Sequence, residues 1–481
     1  MKKKLNKDFA ILILIFFLGL VFRFYNLNWD LGFSFHPDER NIAAAVSRIH
    51  FFDKLNPEFF AYGSLPVYLY RAGGDFLVYI TKDTDWVYNW GDINLIGRYF
   101  SAIFSSLTIP FIYLLSKKIF NKEVALISTF LSAFCVGIIQ TAHFSVTESI
   151  LMFSVVLITL LSINIINKPL RKRNYIALGI VFGLSLASKI SAISFLSIPA
   201  VTYFLSVSKK EIVEKTLFFF LFLIISFVIF TTLAPYTFLN FDKFLESMRY
   251  EGGVAIGSLP VVYTLQFDNT LPYLFQLKNL FWQMGIAAPF SVIGVVVILY
   301  EAVMKKSYSK LVFISFPIIY FAYVGTWHTK FIRYMDPLLP FLIIAGSYFL
   351  FLLKNKFKFA GKLLFLSVLI LTFVWSVSFM SIYSNKQTRI AASEWIYENI
   401  PQESLLLTEH WDDRLPLVLP EKNIQYRIEQ LSIYDPDSQD KITYYSEKLS
   451  SADYIVINSK RLYGTLLYLE EKYPITSNYY K

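Results

Sequence analysis

The chain is short of the features that mark a soluble enzyme. Charged residues make up 17% of its 481 positions, against about 25% in an average soluble domain. A single cysteine, Cys135, rules out a disulfide within the chain. Only five histidines occur, and none forms a His-x-x-x-His pair or another recognisable metal spacing. No Gly-Lys-Ser/Thr phosphate loop is present, nor a basic-side segment large enough for a nucleotide-binding domain. Internal repeats and long low-complexity segments are absent as well.

What remains is apolar and aromatic. Hydrophobic residues reach 55%, with 48 Phe and 32 Tyr, a composition suited to lipid-facing surface and interfacial belts. A membrane crossing takes about 20 mostly apolar residues. Segments meeting that need lie near 8–25, 94–116, 123–140, 146–166, 174–188, 190–207, 216–234, 278–302, 311–326, 337–353 and 363–383. The reading is an α-helical polytopic membrane protein of about eleven transmembrane helices. The fifth and sixth form one block with a break near Ser188-Lys189. The first run ends in Arg23-Phe24-Tyr25-Asn26 rather than a small-residue cleavage site, so it reads as a retained span.

The net charge of +10 does not indicate nucleic acid, because the cations sit in short clusters between apolar runs. Placing the N-terminus in the cytoplasm puts segments 2–7, 117–122, 168–173, 209–215, 305–310 and 354–362 inside, each rich in Lys and Arg. The opposite connections carry far fewer cations. Three non-spanning regions then fall outside. Segment 26–93 holds Asp38-Glu39 and half-apolar stretches at 40–52 and 64–80, the first patterned as an amphipathic interfacial helix. Segment 235–277 carries Asp242, Glu246, Arg249 and Glu251 before Gly252-Gly253. From 384 to 481 the pattern turns soluble, with one helix-like and two strand-like stretches: a small extracytoplasmic α/β domain following a membrane domain at 1–383.

Phe35-His36-Pro37-Asp38-Glu39-Arg40 is the most informative stretch. Two carboxylates follow a proline at the start of the interfacial helix, where an N-terminal capping role competes with a chemical one. Their depth favours chemistry, because a lipid phosphate head would lie at that level. Gly97-Arg98-Tyr99-Phe100-Ser101 opens the second span, and Thr141-Ala142-His143-Phe144-Ser145-Val146-Thr147-Glu148 the fourth. Ser188-Lys189 follows a Gly-containing span, and Arg333-Tyr334-Met335-Asp336-Pro337-Leu338-Leu339-Pro340 precedes a late one.

In their order, these motifs resemble the GT-C membrane glycosyltransferases over about 1–383. The likeness is to the protein O-mannosyltransferase and aminoarabinose-transferase group, glycosyltransferase family 39. Glu148 departs from the family's usual Asp. The resemblance implies a polyprenyl-phosphate sugar donor, an acceptor on protein, lipid or glycan, and inverting transfer at the outer membrane face. It makes Asp38 the general base, with Glu39 and Glu148 in support. Lys189, Arg333, Tyr334 and Arg98 become the donor-phosphate group, with a pairing to Asp38 or Glu39 as the alternative for Arg98. Chemically, a phosphate leaving group needs cations for its charge and a carboxylate for the acceptor proton.

No cofactor is required. A divalent metal would find candidate ligands in His36, His143 and His328 beside the carboxylates. In the tail, Glu409-His410-Trp411-Asp412-Asp413-Arg414 combines an aromatic face with carboxylates, as sugar-binding surfaces do, and an ordinary turn explains it equally well. The alternative function is a transporter or flippase of lipid-linked saccharides. Transporters place ionisable residues at mid-membrane on broken helices, whereas here the charges gather at span ends. A bare membrane anchor for the tail would leave Asp38-Glu39 and Arg333-Tyr334 idle.

Overall fold

The computed structural model describes residues 7–206, 210–420, 422 and 425–481. The basic residues Lys2, Lys3, Lys4 and Lys209, used above for orientation, lie outside the described residues. The chain divides into two compact units: 1–256 with 271–381, and 257–270 with 382–481. The second boundary matches the change in composition. The attachment of 257–270 to the tail was not foreseen.

The first unit is helical. Among the described residues of the chain, six helices are long and apolar enough to cross a membrane, or seven if a bent pair counts as one span. They include Trp90–Ile119, Glu148–Asn167, Ile212–Leu233, Ala287–Met304 and Ile332–Lys356. Ile190–Ser206 and Tyr308–Val324 are shorter apolar helices. The remaining expected segments 8–25 and 174–188 fall on Lys7–Phe24 and Lys172–Ser188, of 18 and 17 residues. Lys172–Ser188 packs on Ile212–Leu233 through Gly179 and Gly183, where an added Cβ would meet Phe222 O and Ser226 O at under 3 Å. Small residues four apart are the usual means of bringing two apolar helices together where burial from water cannot drive them.

The bent pair is Lys122–Ala133 and Val136–Ala142, turned through 52°. A break frees the carbonyls of the last helical turn, which in an apolar surrounding must find donors. Fully buried Arg23 supplies them: Nη2 donates to Ser132 O at 2.8 Å and Nη1 to Ala133 O at 3.0 Å. Its Nε donates to Ser105 Oγ at 2.8 Å. The Ser376 hydroxyl donates to Phe134 O. A cation at a helix C-terminus also complements the helix dipole. The second half of the pair delivers Thr141, His143 and Ser145 to the site described below.

Segment 26–93 contains helices Pro37–Ser47 and Ser64–Thr81, which bury Ile42, Val46, Ile49, Val67 and Tyr70 together with Ile93 and Ile96. Pro37 occupies the first helical turn, where its missing N–H costs nothing. The expected 40–52 helix therefore starts three residues earlier and ends sooner. Segment 235–277 is also largely helical, with Phe241–Ile256 as its longest piece.

The second unit carries a parallel three-stranded sheet, ordered β2 (Arg427–Leu431), β1 (Leu405–Glu409), β3 (Tyr454–Val456). Central β1 is buried at every position, as a parallel strand covered on both faces must be. Leu407, Leu431, Ile433, Leu462 and Leu466 form the core, and Leu265 from 257–270 completes it.

Candidate active site

Four segments distant in sequence meet in one place within the helical unit. Asp38 stands in the first turn of Pro37–Ser47. Arg333 comes from the 3-10 turn Ile332–Leu338 that begins a late span. The two pair directly, Arg333 Nη1 to Asp38 Oδ2 at 2.5 Å. Glu148 opens the helix Glu148–Asn167, and Lys189 occupies the extended break after Lys172–Ser188. They pair at 2.9 Å. Glu148 is 2% exposed and Lys189 16%, so this pair is shielded from bulk water on one side only.

Tyr62 links the two pairs. Its ring lies 4.7 Å from Lys189 Nζ, and its phenol is close enough to Asp38 for the two to interact electrostatically. The placement depends on Gly63, whose N–H donates to Ser188 O at 2.9 Å. A Cβ on Gly63 would stand 1.9 Å from Ala187 O. Only glycine lets the first outer segment lie this close to the end of the helix bearing Lys189. The Arg333 guanidinium also stacks near Phe331 at 4.9 Å and Tyr334 at 5.8 Å.

Electrostatically the four groups balance, two carboxylates against two cations. Burial pushes the Asp38 carboxyl upward, but Arg333, His36, Lys189 and the Tyr62 phenol outweigh it and hold it below the usual carboxylate range. Burial and the Asp38 charge raise the Tyr62 phenol. Burial lowers the half-buried His36 imidazole, whose ring packs 4.7 Å from Phe144. Glu148 Oε2 and Arg333 Nε are buried without a hydrogen-bond partner. Such orphaned polar atoms are costly unless a ligand completes them.

Glu251, from Phe241–Ile256, faces the same groups. Glu251 is itself exposed, and partial desolvation with the Asp38 charge raises its carboxyl despite the nearby Lys189 and Arg333. Its helix is held to the loop before Arg333, since Thr329 Oγ1 donates to Val254 O at 2.7 Å and Thr329 N to Ala255 O at 3.1 Å. Sequence reasoning singled out neither Tyr62 nor Glu251 as site residues.

Two expected site residues lie elsewhere. Arg98, 1% exposed, spends all five of its N–H groups internally. Nη1 and Nη2 bond Asp30 at 2.8 and 2.7 Å, Nε and Nη2 bond Glu39 at 2.9 and 2.7 Å, and Nη1 also bonds Leu27 O. No donor is left for a phosphate. Glu39 is fully buried and also accepts from Ser145 N at 2.6 Å, so it cannot orient an acceptor. The Asp30–Arg98–Glu39 triad is the scaffold beneath Asp38, fixing the turn that presents it.

The expected histidine ligands do not gather. His143 directs its two ring nitrogens at the carbonyls of Ile139 (2.8 Å) and Tyr25 (3.0 Å). Among the described residues no group of three or more His, Cys, Asp and Glu is placed to hold a metal ion. Among the described residues, His36, His143 and His328 therefore do not form the three-histidine centre expected of them.

Comparison with known proteins gives this arrangement its context. Residues 90–236, which include Arg98, Glu148 and Lys189, match the family described as dolichyl-phosphate-mannose-protein mannosyltransferase. No curated protein matches the sequence. Among solved structures, the archaeal oligosaccharyltransferase AglB from Archaeoglobus fulgidus, in complex with an inhibitory peptide and a dolichol-phosphate, aligns with a TM-score of 0.58 at 14% identity. That alignment covers 85% of this chain and 62% of AglB, so the chain spans less than two thirds of its relative's length. ArnT from Cupriavidus metallidurans aligns in its apo state with a TM-score of 0.54 at 13% identity, covering 93% of this chain and 88% of ArnT. The same protein bound to undecaprenyl phosphate gives 0.50 at 12%, covering 93% and 89%.

The chain shares its fold with AglB and ArnT.

Within that fold the family match ends before Arg333 and begins after Asp38. The ion pair joining those two residues thus connects parts of the chain that flank the matched segment.

Proposed function

We propose that the protein transfers a sugar from a polyprenyl-phosphate donor to an acceptor hydroxyl at the outer face of a membrane crossed about eleven times, with the N-terminus cytoplasmic and residues 384–481 extracytoplasmic. The observation carrying this reading is the pair of ion pairs, Asp38–Arg333 and Glu148–Lys189, gathered around Tyr62.

The donor phosphate is an anion that competes with the carboxylates for Arg333 and Lys189. As it binds, Arg333 turns from Asp38 toward phosphate oxygens, with Tyr334 alongside. Asp38 loses the charge that depresses it and becomes a stronger base, as general-base catalysis favours. The acceptor oxygen attacks the anomeric carbon from the face opposite the phosphate. The carbon–oxygen bond to phosphate breaks, its electron pair leaves with the polyprenyl phosphate, and the acceptor proton passes to Asp38. Configuration inverts. Lys189 and Arg333 stabilise the growing negative charge on the leaving group, an effect worth about 2.7–4 kcal/mol per donor in related oxyanion sites. Glu148 keeps Lys189 pointed at the phosphate. Lipid, protein and glycan acceptors all carry the required hydroxyl.

The test is Asp38→Asn in the full chain, assayed with a panel of labelled polyprenyl-phosphate monosaccharides. Transfer should disappear while affinity for polyprenyl phosphate persists. Undiminished transfer would remove Asp38 as the base, and failure of the wild type to bind polyprenyl phosphate would remove the donor assignment.

A further inference from the structure

One buried carboxyl takes no part in this scheme. Asp336 lies one turn beyond Arg333 in the 3-10 turn Ile332–Leu338 and is 2% exposed. Its polar partners are two neutral side chains. Gln283 Nε2 donates to Asp336 Oδ1 at 2.9 Å, and Thr141 Oγ1 lies 2.9 Å from Asp336 Oδ2. Arg333, a cation close to Asp336, is engaged by Asp38, and Glu148 presents a further negative charge toward Asp336.

Counting hydrogens decides how this contact is built. Thr141 Oγ1 also lies 2.8 Å from Gly137 O, one helical turn back. A hydroxyl has one hydrogen. A carbonyl has none, so a bond to Gly137 O uses the threonine proton. The close approach of Thr141 Oγ1 to Asp336 Oδ2 then needs a second proton, and only the carboxyl can carry it. With Asp336 protonated, every contact has one donor and one acceptor: Gln283 to Oδ1, Oδ2–H to Thr141, Thr141 to Gly137. An ionised Asp336 would leave a buried charge with no cation of its own, an arrangement proteins avoid.

We infer that Asp336 is a neutral carboxylic acid that acts as a positioning residue, pinning the Arg333-Tyr334 turn to the bent helix through Thr141 and to the helix Leu274–Met284 through Gln283. The inference rests on the role proposed for Arg333 and explains how that guanidinium is held at the angle that meets Asp38. Neutrality matters here. An anion in this place would compete with Asp38 and with the donor phosphate for Arg333.

Two measurements on the full chain in lipid nanodiscs test it. The first is infrared difference spectroscopy between the wild type and Asp336→Asn, in light and heavy water. A carbonyl stretch of a protonated carboxylic acid, sensitive to deuterium, should appear in the wild type across the neutral range and vanish in the variant. Its absence, or its titration away in that range, overturns the inference whatever the substrate proves to be. The second uses polyprenyl phosphate alone as the probe. Asn reproduces the donor–acceptor pattern of a protonated Asp, so Asp336→Asn should bind within about twofold of wild type, whereas Asp336→Ala should lose about tenfold or more. An Asn variant that fails to fold, or binds as poorly as the Ala variant, overturns the inference. In Thr141→Val, loss of the acceptor should shift or remove the acid's infrared band, and an unchanged band would count equally against it. Failure of the wild type to bind the probe would refute the donor reading while leaving the spectroscopic result to stand by itself.

Discussion

Lys189 holds two partners at once: its ammonium bonds Glu148 at 2.9 Å and faces the Tyr62 ring at 4.7 Å. The second contact exists only because Gly63 brings the first outer segment against Ala187 and Ser188.

Gly63→Ala should therefore act at a distance. A Cβ 1.9 Å from a backbone carbonyl forces the segment away, a strain of about 1–3 kcal/mol by analogy with overpacked cores. Tyr62 would leave both Lys189 and Asp38. We expect a loss of about tenfold or more in polyprenyl phosphate affinity, with helical content unchanged by circular dichroism. Unaltered affinity would show that the close approach has no role in binding.

Removing Arg333 should shift the pH profile of transfer in a known direction. In the free enzyme Asp38 is held low, so it is ionised throughout the neutral range. Its contribution to stability is present above the unfolded carboxyl value of about 3.9 and is lost as pH falls through the lower folded value. In Arg333→Gln the largest counterweight to burial is removed and the carboxyl rises. The acidic limb of kcat/KM should move to higher pH, and the plateau should fall by about 100- to 1,000-fold. A limb that stays put would mean that a group other than Asp38 is titrating.

Arg98→Met tests scaffold against catalysis. The substitution strands Asp30 and Glu39 as buried carboxylates without a cation, a loss of about 3–5 kcal/mol when one partner of a buried pair is removed. The expected result is a lowered melting temperature and poor recovery of monodisperse protein. A stable variant with a raised KM for the donor would instead return Arg98 to the phosphate site.

A double-mutant cycle on Glu148→Gln and Lys189→Met measures whether that pair works as a unit. Coupling should exceed about 1.5 kcal/mol in donor affinity, as for close and shielded charge pairs. Additive losses would mean that the two residues act separately.

Much of the site could be read from the sequence, for a physical reason. Asp38, Glu148, Lys189 and Arg333 are charges at the ends of apolar helices, where an ionisable residue is expensive enough to stand out. What escaped notice lacks such contrast. Tyr62 and Glu251 lie in polar outer segments, and nothing local distinguishes them from their neighbours. Arg98 and Glu39 stand out as charges, but the way Arg98 gathers both Glu39 and Asp30, the latter across 68 residues of sequence, is encoded in no local pattern. In the tail, Leu405–Glu409 announced itself as a run of leucines, whereas Arg427–Leu431 mixes charge with two apolar residues and is largely exposed. Span number is harder to read: Lys7–Phe24 is as long as Ala287–Met304 but carries Lys7, Asp8 and Arg23, and Lys172–Ser188 has 17 residues, so both fall outside the helices that qualify by length and composition.

The way 257–270 joins the tail unit sets a limit on dissecting this protein. Leu265 is buried among residues of 382–481, so cutting the chain near 383 would not free two intact pieces. The shortened form would keep a leucine whose neighbours had been discarded, and the isolated tail would carry a gap where that leucine belongs. During synthesis the same segment emerges well before the strands that receive it. The helical unit must therefore carry it unpartnered until the last part of the chain is made.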